Sequence, residues 1–180
     1  MSADPRAFVV LGLDPGTRCT GWGVVREVSG QASLLGAGVI RPDPEEAMSL
    51  RIGHIYAGIA DLIQRYAPQA AALENVFVAK NPGSALKLGQ ARGAAMAACA
   101  MQGVPVESYE PTLVKKTLVG VGRAEKSQVA FMVGRILGEK PVWSTDASDA
   151  LALAVCHLSM RRFNRLTALA ANGTAGNSPG

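Results

Sequence analysis

Three apolar runs joined by short turns occupy residues 7–40, and beyond them helix-like and strand-like segments alternate. "AFVVLGLD" is apolar at every position but its last, the pattern of a strand buried on both faces. "GWGVVRE" follows a sharp turn, and "VSGQ" connects it hairpin-fashion to "ASLLGAGVI". Such a meander must be antiparallel. "LRIGHIYAGIADLIQRY" then places Ile52, Ile55, Tyr56, Ile59, Leu62 and Ile63 at helical spacing, and Pro68 stops it. "AAALE" and "VPVESYE" read as two further strands, separated by a helix rich in small residues, "PGSALKLGQARGAAMAACAMQG". Three helices complete the chain: "PTLVKKTLV" with Pro111 at its first position, "AEKSQVAFMVGRILG", and "TDASDALALAVCHLSMRRF". This order predicts a mixed five-stranded α/β sheet, a three-strand antiparallel meander plus two parallel strands, with helices on both faces. Residues 8–163 form one domain in this reading. Residues 1–7 precede it, and 164–180, rich in Ala, Asn, Gly, Ser and Thr, read as a disordered tail.

No apolar run approaches the roughly 18 residues of a membrane span, and the first residues lack the basic and apolar regions of a signal peptide. Cys19, Cys99 and Cys156 are far apart and read as reduced thiols, consistent with the cytoplasm. The net charge is +4 but unevenly spread. Residues 1–78 carry six basic and eight acidic side chains, whereas residues 79–127 carry seven basic and three acidic. The middle of the chain is the basic zone, a footprint suited to a polyanion or simply a solvated surface.

Four carboxylates stand out against this background. Asp14 ends the first strand in "LDPGT", where Asp-Pro-Gly is also an ordinary turn signal. Glu74 ends the fourth strand. If those strands are parallel neighbours, both acids leave the sheet at one edge. Asp146 and Asp149 lie at i and i+3 in the first turn of the last helix, on one face. Asp146 alone could be an acid favoured by the helix dipole. Asp149 sits among Ala147, Ala150, Leu151 and Leu153, and no Lys or Arg occurs between Lys140 and Arg161. An acid in such surroundings needs a partner, and a hard cation such as Mg²⁺ would serve. Four carboxylates can hold two such ions roughly 3.5–4 Å apart, the arrangement of a phosphodiester-cleaving nuclease.

"LGLDPGTRCTGWGVV", "ENVFVAKNPGSALKLGQARG", "VKKTLVGVGRAEKSQV" and "DASDALALAVCH" resemble the RuvC family, bacterial Holliday junction resolvases of the RNase H-like superfamily. The resemblance runs from about Phe8 to about His157. It implies a structure-selective endonuclease that resolves four-way DNA junctions by symmetric hydrolysis of two opposing strands. It implies Mg²⁺ dependence with two ions per site and Mn²⁺ as a substitute, a homodimer, and partnership with the RuvA–RuvB branch-migration motor. Asp14, Glu74, Asp146 and Asp149 fall on the family's catalytic, metal-binding acids. Some members carry His at the position of Asp146. Phe77 falls on an aromatic placed against bases near the junction centre, and Lys115 and Lys126 on basic residues implicated in DNA contact. Lys80, Lys87, Arg92, Lys116 and Arg123 extend the candidate DNA surface. The "FVAKN" region and the following helix are implied at the dimer contact.

Three rival readings are weaker on the sequence. "LGLDPGT" also resembles the first phosphate loop of actin-like ATPases and sugar kinases, for whose second domain there is no room, and the start of YqgF-type RNA-processing nucleases, which should lack the "FVAKN…ALKLGQARG" block. A junction-binding protein without catalysis is the third, and the four acids in place argue against it. His54 and His157 read as helix-packing residues, and Trp22 and Trp143 as structural. Gly120 and Gly122 suit either a phosphate or a tight turn.

Overall fold

A computed structural model describes residues 6–75 and 81–174. Its elements are β1 (Phe8–Asp14), β2 (Thr20–Val28), β3 (Gln31–Ile40), α1 (Met48–Tyr66), β4 (Ala70–Glu74), α2 (Pro82–Met101), β5 (Val106–Tyr109), α3 (Pro111–Val119), α4 (Lys126–Leu137) and α5 (Thr145–Thr174). The five strands form one sheet in the order β3-β2-β1-β4-β5. The β1–β2 and β2–β3 pairs are antiparallel, and β4 and β5 run parallel to β1. The predicted meander and its two parallel additions are therefore both present.

Local chemistry explains the joints. Ser29 and Gly30 take φ of 50° and 85°, so the β2–β3 hairpin turns on two left-handed residues, whose twist matches that of the paired strands. Asn81 caps α2 by accepting from Gly83 N at 2.8 Å. Glu125 and Gln128 close a capping box at the start of α4. Gly120, at φ 87°, ends α3 with its N–H on Lys116 O, so it is a helix stop.

The central strand β1 buries Val9 to Leu13 between two cores. On one face Leu11, Leu13, Ile55, Ile59 and Leu73 pack with the small residues of α2. On the other, Val10, Val25, Val133, Leu151 and Val155 pack beneath α3, α4 and α5. Trp22 packs against the first core and Trp143 against the second. His157 is buried, with Nδ1 2.8 Å from the Tyr109 hydroxyl. His54, expected to pack, is instead exposed and reaches Glu46 Oε2 at 3.1 Å. The thiols of Cys19, Cys99 and Cys156 are free, as expected. α5 continues to Thr174, beyond Asn164, where the sequence suggested that order ends. Ala, Leu and Thr in that stretch favour or tolerate a helix that α5 has already nucleated, although its residues 164–169 are exposed.

α5 reaches the sheet so closely because β1 and β2 carry glycine beneath it. A Cβ on Gly12 would lie 1.9 Å from Ala150 O, and one on Gly21 2.0 Å from Asp146 O. Gly23 leaves room for the Leu151 side chain in the same way. This seat sets the height at which the start of α5 crosses the end of β1.

Candidate active site

In the parallel β1–β4 pair Leu13 lies opposite Leu73, so Asp14 and Glu74 are the next residues of neighbouring strands and emerge at the same sheet edge. The glycine seat brings Asp149 to that edge from above. Asp14, Glu74 and Asp149 share a cleft of about 250 Å³ with Val114, Lys115 and Lys126. Glu74 is held from behind by its own backbone. Arg92 of α2 donates Nη1 to the Glu74 carbonyl and Nη2 to Ser108 Oγ at 2.6 Å. Asn75 donates its backbone N–H to Tyr109 O at 2.7 Å and its side-chain amide to Glu110 Oε1 at 2.7 Å.

Burial and neighbouring acids raise the proton affinity of Asp14 and Glu74. Burial, reinforced by the charges of Glu74, Asp149 and Asp146, pushes Asp14 up to about 6, with Lys126 opposing. Burial and then Asp149 raise Glu74, opposed by Lys126 and Lys115. Excess negative charge in a half-buried cleft is the condition of a site that takes up cations.

Two features depart from the sequence expectation. Asp149 is not without a basic neighbour: Lys126 Nζ lies 2.5 Å from its Oδ2. The partner comes from α4, 23 residues away, which no scan along the last helix could find. Asp146 contacts a different group from the one expected. Its Oδ2 accepts from Cys19 Sγ at 3.2 Å, and burial followed by this bond pushes the thiol up to about 11. With these two acids so engaged, no three His, Cys, Asp or Glu side chains among the described residues enclose a metal position. The donors are nonetheless hard oxygens of the kind Mg²⁺ takes.

Of the candidate DNA-binding residues, Lys115 and Lys126 line the cleft. Lys87, Lys116 and Arg123 are exposed on α2, on α3 and in the α3–α4 turn. Arg92 has two of its guanidinium nitrogens committed to the protein, a bracing role that its charge did not reveal. Phe77 and Lys80 lie outside the described residues. Asn75 and the glycines at 12 and 21 were not singled out in the sequence, and Cys19 was read only as a reduced thiol. Alternation of Gly with large apolar residues in "GWG" was the available signal for a close helix contact.

Residues 10–157 match the family model of crossover junction endodeoxyribonuclease RuvC. The chain belongs to this family. RuvC of Oleidesulfovibrio alaskensis is 60% identical over 163 residues, covering 91% of this chain and 98% of that protein. RuvC of Solidesulfovibrio magneticus is 58% identical over 158 residues, covering 88% and 94%. The structure of Thermus thermophilus RuvC in complex with Holliday junction substrate superposes with a TM-score of 0.83 at 39% identity, over 87% of this chain and 96% of that one. Membership in RuvC decides against the kinase-like and YqgF-type readings that "LGLDPGT" also allowed. It makes the chain a nuclease of the RNase H-like fold. Among the described residues no helix is long and apolar enough to cross a membrane.

Proposed function

We propose that this RuvC-family chain resolves four-way DNA junctions, and that hydrolysis takes place at the cleft of Asp14, Glu74, Asp149 and the adjoining Asp146. The observation that carries this reading is the meeting of acids from β1, β4 and α5 beside Lys115 and Lys126, in a chain matched along residues 10–157. Asp14 and Glu74 are fixed by the sheet edge, and Asp146 and Asp149 turn toward them to complete the ligand set. Mg²⁺, or Mn²⁺ in its place, bound as a pair would supply an activated water and stabilise the leaving oxygen. Lys115 holds a phosphate oxygen at the cleft wall. Lys126 exchanges Asp149 for the DNA backbone when the site is loaded. Lys116, Arg123, Lys87 and Lys80 extend the basic track, and Phe77 stacks on a base at the junction centre.

Symmetric cutting of two strands requires two sites, so the active form is a homodimer. The outer face of α2 suits this contact: Leu86 and Met96 are exposed, and nothing lies within 4 Å of where a Cβ would stand on Gly89 or Gly93. RuvA and RuvB are the proposed partners, in the cytoplasm. Cleavage of a labelled four-way junction and of a linear duplex of equal length, each with Mg²⁺ and with chelator, tests the reading. Paired nicks in opposing strands of the junction alone, lost in chelator, are expected. Junction binding without nicks would make the chain a binding protein instead.

A further inference from the structure

The sheet register brings a second basic group to the site, on the side away from Lys115 and Lys126. Thr20 of β2 pairs with Ile40 of β3, so the residues just beyond, Cys19 and Arg41, come together. The Arg41 charge acts on the Cys19 thiol, favouring its thiolate, and that thiol donates to Asp146 Oδ2. Arg41 therefore stands one thiol away from the fourth acid. Arg18 lies in the same loop. From α1, Arg51 donates Nη2 to Thr17 O at 2.5 Å and fixes the loop from below. Arg18 and Arg41 are both exposed, and neither is ion-paired with another described residue.

These arginines belong to the one part of the sequence with a net negative charge, Arg18 directly before Cys19 and Arg41 directly after the end of β3. A cluster of carboxylates repels a nucleic-acid backbone, so a strand laid across it must be held by cations on either side. Lys115 supplies one side. We propose that Arg18 and Arg41 form a second phosphate-binding flank, which grips the DNA backbone on the Asp146 side of the cut. The inference rests on the reading of the acid cleft as the place of hydrolysis. Holding the strand at both sides keeps the scissile phosphate in line with the acids, which a single flank cannot do.

The test is junction affinity of the full chain across a salt series in Ca²⁺, for wild type, Arg18→Ala, Arg41→Ala, Arg41→Lys, Lys115→Ala and Arg26→Ala. Arg26, exposed on β2 opposite Val9, lies away from the acids and serves as the control. Each phosphate contact contributes about 0.9 to the slope of log affinity against log salt. Arg18→Ala, Arg41→Ala and Lys115→Ala should each lower the slope by about that amount, while Arg41→Lys and Arg26→Ala keep it. Wild-type slopes in both alanine variants, beside a lowered slope in Lys115→Ala, overturn the second flank and leave the site reading intact. A loss in Arg41→Lys equal to that in Arg41→Ala also overturns it, because Arg41 would then act by bracing Cys19. If wild type itself binds junctions no better than duplex, the site reading falls, and the flank with it.

Discussion

Lys126 Nζ and Asp149 Oδ2 stand 2.5 Å apart, an ion pair at the mouth of the acid cleft. Lys126 is 68% exposed and Asp149 31%, so the pair contributes no more than about 1 kcal/mol to stability. Its consequence is competition, since a divalent cation and Lys126 want the same carboxylate. Lys126→Gln should lower the Mg²⁺ concentration that half-saturates thermal stabilisation, by up to about fivefold, while slowing junction cleavage. An unchanged Mg²⁺ midpoint in a melting series would show that Lys126 and the ion do not compete. The pair also changes what Asp149→Asn should do. Relieved repulsion among the acids would by itself raise the melting point in chelator. The substitution now loses an attraction as well, and its stability in chelator should stay within about 1 kcal/mol of wild type.

The glycine seat of α5 makes a second prediction. A Cβ at Gly12 or Gly21 would meet backbone oxygens of Ala150 and Asp146, which cannot rotate away as a side chain can. Gly12→Ala and Gly21→Ala should each cost about 1–3 kcal/mol or more in denaturant unfolding. They should also depress cleavage beyond what the lost stability explains, because the helix that lifts carries Asp146 and Asp149. Gly53→Ala on α1, with open space around it, is the control: it should leave cleavage unchanged and raise stability by up to about 1 kcal/mol through helix propensity.

Arg92 separates a bracing residue from a DNA contact. Its hydrogen bonds to the Glu74 carbonyl and to Ser108 hold the end of β4 against β5. Arg92→Ala should therefore lower the single-turnover cleavage rate more than junction affinity and leave the salt slope near that of wild type. A slope reduced by about 0.9 with an unchanged rate would return Arg92 to the DNA surface.

The fold was legible because each element had its own local signal. The central strand was apolar on both faces, Pro68 stopped the first helix, and the two-residue turn at Ser29 and Gly30 lay between two apolar runs. The ends of β1 and β4 were legible as a meeting of acids because parallel neighbours share an edge. What the sequence hid was every contact that depends on tertiary placement. Lys126 reaches Asp149 across 23 residues, and Cys19 reaches Asp146 across 127. The continuation of α5 past Asn164 was hidden for another reason: the polar, small-residue composition there carries no helical periodicity, while an established helix needs none to propagate.

Asp14 offers the sharpest pH signature. Its carboxyl is raised from 3.8 to about 6, first by burial and then by Glu74, Asp149 and Asp146. In the unfolded chain these influences vanish. The folded state therefore binds a proton more tightly than the unfolded state, and that contribution to stability is fully present below about pH 4. It is lost as pH rises through about 6, and above that the folded protein carries a buried, crowded anion. The shift corresponds to at most about 3 kcal/mol, less whatever relaxation and water entry relieve. Asp14→Asn keeps the shape and removes the titration. In chelator, the mutant should be no more stable than wild type at pH 4 and more stable at pH 7.5, with the difference opening between pH 4 and pH 6.5. Mg²⁺ at pH 7.5 should narrow the gap by stabilising wild type, since the ion supplies the charge that the cleft lacks. Urea unfolding at a series of pH values, with and without Mg²⁺, measures this directly. A difference that stays constant across the series would mean that Asp14 is solvated in the folded protein as it is in the unfolded one, and the account of a strained acid cluster at the end of β1 would be wrong.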